Sequence, residues 1–170
     1  MAVSERLEIA KRQMQSAREY MLGMLDGLTE DDWFWVPESG LQTHVAWQVG
    51  HIAMAQYGLA LFRQRGRQEV DSELMPGKIR KLFMKGTTPK NDRDSHPDSK
   101  AILAMLERVN EQVFQEIDAF DGEQLDEPAE RPHAAFATRY GALLFASHHE
   151  MLHTGQIGML RRLMGREPIR

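Results

Sequence analysis

Four separate stretches of this chain place apolar residues at three- and four-residue steps, a period that amphipathic helices satisfy and strands do not. The first stripe is Leu7, Ala10, Met14, Ala17, Met21 and Met24 or Leu25, within residues 3–26, with Gly27 as its stop. The second, within 42–65, is His44, Gln48, His51, Ala55, Leu59 and Phe62, with Thr43 as a candidate cap and Gly66 as its end. The third, within 99–120, is Ile102, Leu106, Val109, Val113, Ile117 and Phe120, behind the candidate caps Ser95, Asp98 and Ser99. The fourth, within 139–164, is Ala142, Ala146, His149, His153, Ile157, Leu160 and Met164, ending at Gly165. No stretch carries a strand signal, an internal repeat or low complexity. The pattern predicts one all-α domain over residues 1–170, a four-helix bundle.

The connections set the order of the helices. Residues 28–37 are acidic and aromatic, with Trp33, Phe34 and Trp35 before Pro37, and read as an ordered connection with a helical turn. Residues 66–98 keep no sustained period and are broken by Pro76, Gly77, Gly86, Pro89 and Pro97. They read as a long crossover between helices two and three, with one short helix near 78–84. A crossover of that length lets the two helices run parallel, whereas the other connections suit antiparallel neighbours. The first helix also carries Ile9 and Leu22 off its main stripe. A stripe wider than one seam predicts a homodimer; the alternative is that these residues pack beneath Trp33 and Trp35.

Charge and composition narrow the partners. A net charge of −4 gives no basic footprint for nucleic acid. No apolar run approaches the length of a membrane span. The start, Met1-Ala2-Val3-Ser4-Glu5-Arg6, is polar at once, so the expected location is cytoplasmic and the expected partner is a small-molecule substrate. Cysteine is absent. Any metal must therefore be held by His, Asp or Glu, and any thiolate must be imported.

Chemistry concentrates in His149-Glu150-Met151-Leu152-His153. Histidines four residues apart on a helix share one face, about 6 Å apart along the axis, close enough to grip one ion. His51, inward on the second helix, is the best third ligand. One buried imidazole is commonly a hydrogen-bonded core residue; three together would compete for few acceptors, and a shared metal answers that. His96 and His133 lie in connections. His148 points about 100° away from His149, toward the rim or solvent. His44 and Gln48 share the stripe of His51 and could line a pocket mouth, or simply form a polar end. The same stretch fits the H-E-x-x-H pattern of zinc peptidases. Those enzymes need a further His or Glu ligand downstream, and Thr154-Gly155-Gln156-Ile157-Gly158-Met159 offers none. Glu150 then reads as a residue beside the site rather than its base.

In order and spacing, three segments resemble the DinB-like (YfiT-like, damage-inducible) superfamily. They are Gly27-Leu28-Thr29 with Trp33, Trp47-Gln48-Val49-Gly50-His51-Ile52-Ala53, and Ser147-His148-His149-Glu150-Met151-Leu152-His153-Thr154-Gly155-Gln156-Ile157. The resemblance implies a bundle running up-down-down-up. It also implies a divalent metal, zinc or nickel, on three histidines that correspond to His51, His149 and His153. Characterised members include bacillithiol and mycothiol S-transferases and a mycothiol-dependent isomerase. The resemblance therefore implies transfer of a low-molecular-weight thiol to a small electrophile. Gln48, His44, Arg139 and Tyr140 are candidates to bind the thiol, from position alone. Metal-dependent hydrolysis is the runner-up. A non-catalytic stress-response protein is the third reading, with a closed site whose fourth ligand is His148, Glu150 or His44.

Overall fold

The computed structural model describes residues 2–38, 40–89 and 93–169; residues 90–92 of the expected crossover lie outside them. The chain is mostly helical. The first helix, α1 (Val3–Gly23), buries Leu7, Ala10, Met14, Ala17 and Met21 along one face. It ends at Gly23 rather than near residue 26, and the chain then turns through Gly27, whose φ of +71° suits a residue without a Cβ. The acidic connection contains α2 (Glu30–Phe34). Thr29 and Asp32 cap it reciprocally: the Thr29 hydroxyl accepts from the Asp32 amide, and the Asp32 carboxylate accepts from the Thr29 amide. Trp33 is buried beneath it.

The second long rod is α3 (Val45–Gln56), a π-helical segment (Tyr57–Phe62) and a last turn, α4 (Arg63–Arg65), in unbroken succession. Its cap is His44, not Thr43: the His44 Nδ1 accepts from the Trp47 amide at 2.9 Å. Gly66 ends the rod at a φ of +74°. The crossover holds α5 (Asp71–Leu74), α6 (Gly77–Phe83) and a 3₁₀ turn (Arg93–Ser95). Buried Asp71 anchors it by accepting from Arg65, the Gln68 amide and the Tyr57 hydroxyl.

Asp98 caps α7 (Ser99–Glu116), which tightens into a 3₁₀ turn (Ile117–Ala119). After α8 (Gly122–Asp126) comes a feature the sequence reading lacks, an antiparallel ribbon of β1 (Pro128–His133) and β2 (Phe136–Thr138). Its second strand has three residues and its first contains Pro128 and Pro132, so no alternation long enough to read is present. Thr138 then caps α9 (Arg139–Leu163), the longest helix.

The helix α9 packs on both α1 and α3, and α3 packs on α7. Side chains show the sense of each pairing. Along α1 and α9 contacts climb together: Arg6 with Tyr140, Arg18 with Glu150, and Met24 with Arg161. Along α3 and α9 they run oppositely, Gln64 with Arg139 but Gln48 with Gln156. Gln56 with Asn110 and Arg65 with Glu116 climb together again. One buried polar chain crosses all four rods. Glu150 accepts from Arg18 at 2.7 Å, Arg18 donates to Gln56 at 2.8 Å, and Gln56 donates to Asn110 at 2.9 Å. Among the described residues no helix is long and apolar enough to cross a membrane.

Candidate metal centre

The histidines come together where α3 faces α9. His51 is buried on α3; His149 and His153, one turn apart on α9, are half-buried. Ring centroids lie 5.1 Å apart for His51 and His149, 4.6 Å for His51 and His153, and 4.5 Å for His149 and His153. One ring nitrogen from each lies within 4.8 Å of the other two. These three histidines could hold a metal ion. A tetrahedral ion with bonds of about 2.1 Å holds its nitrogens about 3.4 Å apart, so the rings would draw together on binding one.

Hydrogen bonds fix which nitrogens are available. The Phe83 carbonyl, at the end of α6, lies 2.6 Å from the His51 Nδ1. A carbonyl only accepts, so Nδ1 carries the proton and Nε2 keeps the lone pair. The Gln48 amide does the same for His153. Its Nε2 donates to the Thr43 hydroxyl and to Gln156 Oε1, each at 2.8 Å. With both amide protons used, Gln48 Oε1 is the acceptor for His153 Nδ1–H. Such outer partners orient the rings and raise ligand basicity. Trp47 stacks flat on His51, with centroids 4.7 Å apart and planes 9° apart. Phe145 meets His149 edge-on.

Burial also keeps the rings neutral, the form that binds metal. It pushes His51 below its ordinary value, with the Phe83 bond opposing. His149 falls to about 4, first by burial and then by the nearby His51 and His133. His153 falls to about 3, by burial and by the other two histidines.

The other candidates are placed elsewhere. Glu150 is buried but faces α1, paired with Arg18, and burial raises its carboxyl against the pull of that guanidinium. His148 is exposed and lines a surface groove with Arg12 and Tyr20. His44 is fully buried at its cap, with its ring 4.9 Å from that of His96 and 5.4 Å from Phe34. Arg139 donates to the Gln64 carbonyl and pairs with Glu127. The Tyr140 hydroxyl donates to the Arg6 carbonyl, beneath the Arg6 guanidinium. Of the pocket candidates, Gln48 alone bonds a triad ring among the described residues.

Three neighbours of the triad are not among the site residues that the sequence predicts. The Phe83 carbonyl belongs to the crossover, and backbone acceptors have no residue signature. Gln156 lies three residues beyond His153, a same-face spacing that could have flagged it. His133, read as a connection residue, is carried by β1 to Phe136 and Phe145, at the edge of the His149 environment.

Solved structures resemble the whole architecture. A conserved Enterococcus faecalis protein, known from a crystal structure, superposes with a TM-score of 0.72 at 18% identity, over 94% of this chain and 97% of that one. At that identity the likeness carries the fold alone. No curated protein matches the sequence. The model of the DinB superfamily matches residues 13–157, a span containing all three histidines, Gln48 and Gln156, and the chain belongs to that superfamily.

Proposed function

We propose that this protein is a divalent-metal-dependent enzyme that transfers a low-molecular-weight thiol to a small electrophile. The observation that carries the reading is a cluster of three neutral imidazoles that no fourth protein ligand joins among the described residues. A structural zinc site is normally closed by four protein ligands, whereas a catalytic one keeps a position open. The candidates for a fourth ligand lie elsewhere: Glu150 with Arg18, His44 at the Trp47 amide, and His148 at the surface.

His51, His149 and His153 would hold the ion, with zinc and nickel as the leading candidates for three nitrogen donors. A divalent cation there lowers the pKa of a thiol or a water molecule and stabilises the resulting anion. The chain's own groups hold the geometry. Phe83 and Gln48 lock two imidazoles in the ligand tautomer, while Trp47 covers one ring face of His51. The absence of cysteine requires that the thiol arrive as a cosubstrate. Hydrolysis would ask for a general base, and the carboxylate next to the triad in sequence, Glu150, is turned to α1.

The four long rods are read as an up-down-down-up bundle, supported by the ascending α1–α9 and α3–α7 contacts and the opposed α3–α9 contacts. The chain is read as a homodimer through α1, whose Ile9, Tyr20 and Leu22 are exposed. Sedimentation showing only monomer at micromolar protein would reject the dimer.

The enzymatic reading is tested by incubating metal-loaded protein with bacillithiol, mycothiol or glutathione and monochlorobimane. Metal-dependent acceleration with one of the thiols is the expected result. Silence with all three, alongside turnover of an ester or amide panel, moves the assignment to hydrolysis.

A further inference from the structure

A cavity of about 340 Å³ lies between α9 and the end of α1, and no triad residue lines it. That volume is at the small end of the range for ligand sites. Its apolar wall is Tyr20, Met24, Met159, Pro168 and Ile169. The last two belong to the tail beyond α9, which Arg166 holds against α2 by donating to Asp32 at 2.6 Å. The two methionines are soft, polarisable walls that adapt to an aromatic or branched body.

The charge in this cavity is of one sign. Arg161 and Arg162 line it, and among the described residues no Asp or Glu does. Arg162 is exposed, whereas Arg161 is only 7% exposed. One terminal nitrogen of Arg161 donates to the Met24 carbonyl at 3.0 Å and to the Asp26 carbonyl at 2.7 Å. Those carbonyls lie just past the C-terminus of α1, where the helix dipole supplies about half a negative charge. That is partial compensation. Among the described residues Arg161 has no carboxylate partner, its other terminal nitrogen donates to nothing, and its buried Nε has no acceptor. A buried cation without a full counter-charge is costly, and a bound anion removes that cost.

Two glycines keep the α9 side of the cavity bare. A Cβ on Gly155 would meet nothing within 4 Å, and one on Gly158 would meet only the Met24 sulfur, at an ordinary 3.7 Å. Packing demands neither glycine, although glycine inside a helix is unfavourable relative to alanine. Their effect is to hold the space open.

We propose that this cavity binds a small apolar carboxylate, with its charge on Arg161 and its body against Met24, Met159 and Ile169. Arg162 at the rim adds attraction for the incoming anion. A guanidinium bonds a carboxylate about twice as strongly as a neutral acceptor, so charge decides the selectivity. The site is separate from the metal centre, and binding needs no metal.

The test uses the full-length protein, labelled with ¹⁵N and titrated with benzoate, benzyl alcohol or benzylamine. Benzoate is expected to shift the amides of Gly155, Gly158 and Arg162, and to bind about tenfold more tightly than the neutral or the cationic analogue. Arg161→Met removes the charge and should weaken benzoate by about tenfold or more. That change also frees the carbonyls beyond α1, so a second variant decides the matter should it fail to fold. Gly158→Leu fills the space, leaves the guanidinium in place and favours the helix. It should weaken benzoate by a similar factor. Equal binding of the three probes, no response to benzoate, shifts confined to other surfaces, or unchanged benzoate affinity in Gly158→Leu would overturn the proposal.

Discussion

At the scale of single residues, the candidate centre depends on groups outside its three imidazoles. Gln48 spends both amide protons on Thr43 and Gln156, and so presents only its oxygen to His153. Gln48→Leu keeps the volume but removes that acceptor. The His153 ring is then free to turn or to shift its proton to Nε2, the nitrogen the ion needs. Zinc affinity should fall about 10–100-fold, as outer-partner substitutions typically do. Competition with a chromophoric chelator measures it, and unchanged affinity would remove Gln48 from the site. His149→Ala or His153→Ala should lose most of the affinity. His96→Ala should not, because its ring neighbours are His44, Phe34 and Phe83 rather than the triad. The spacing of His149 and His153 made this cluster readable, since a four-residue step on an inward stripe leaves two rings one place to meet. The orientation of Glu150 was not readable. A residue beside His149 on the helix wheel can face the site or the next helix, and Arg18 decides it from another element.

At the scale of elements, close approach joins the crossover to the site. Gly50 has no side chain where the Phe83 ring packs, and a Cβ on residue 50 would overlap that ring. Phe83 is fully buried and cannot simply swing out. Gly50→Ala should therefore cost about 1–3 kcal/mol in urea unfolding, as overpacking does. It should also weaken zinc binding, because the displaced residue carries the carbonyl that holds His51. A loss of stability with full zinc affinity would separate Phe83 from the centre. The Arg18–Glu150 pair joins α1 to α9 in the same way. Arg18→Met strands a buried carboxylate and should cost about 3–5 kcal/mol, whereas Arg18→Met with Glu150→Met should recover most of it. A double variant no more stable than the single one would show that the pair does more than satisfy its own charges. The four long helices were legible because their stripes are long. Their starts were less so: the second begins at Val45, since the His44 ring does the capping expected of Thr43. The short helix expected near 78–84 is present as α6 (Gly77–Phe83), whereas α5 and the β1–β2 ribbon are held by contacts with α7 and α9, and too few residues repeat within them to show a period.

For the whole molecule, acid should act on the metal-free protein through its buried imidazoles. In an unfolded chain a histidine titrates near 6.5. Burial holds His44 and His149 down to about 4 and His153 to about 3. Between those values the unfolded state takes up protons that the folded state refuses, so stability falls as pH falls. The contribution is complete above about pH 6.5, declines through the interval, and is lost once pH passes below the folded values. Glu150 works in the opposite sense, because its raised carboxyl favours the folded state on the acid side, but it is one group against four, since burial lowers His51 as well. The melting temperature of metal-free protein should therefore drop steadily from about pH 7 to about pH 5. Zinc at about a hundred times its Kd should add about 2.7 kcal/mol at neutral pH. That gain should shrink on acidification, because protons compete for the same nitrogens. Removing one of the depressed histidines with His153→Phe should flatten the acid slope of the metal-free protein and abolish most of the zinc gain together. A variant that lost the zinc gain but kept the full slope would show that His153 binds the ion without contributing to acid sensitivity. The reverse result would take His153 out of the metal centre.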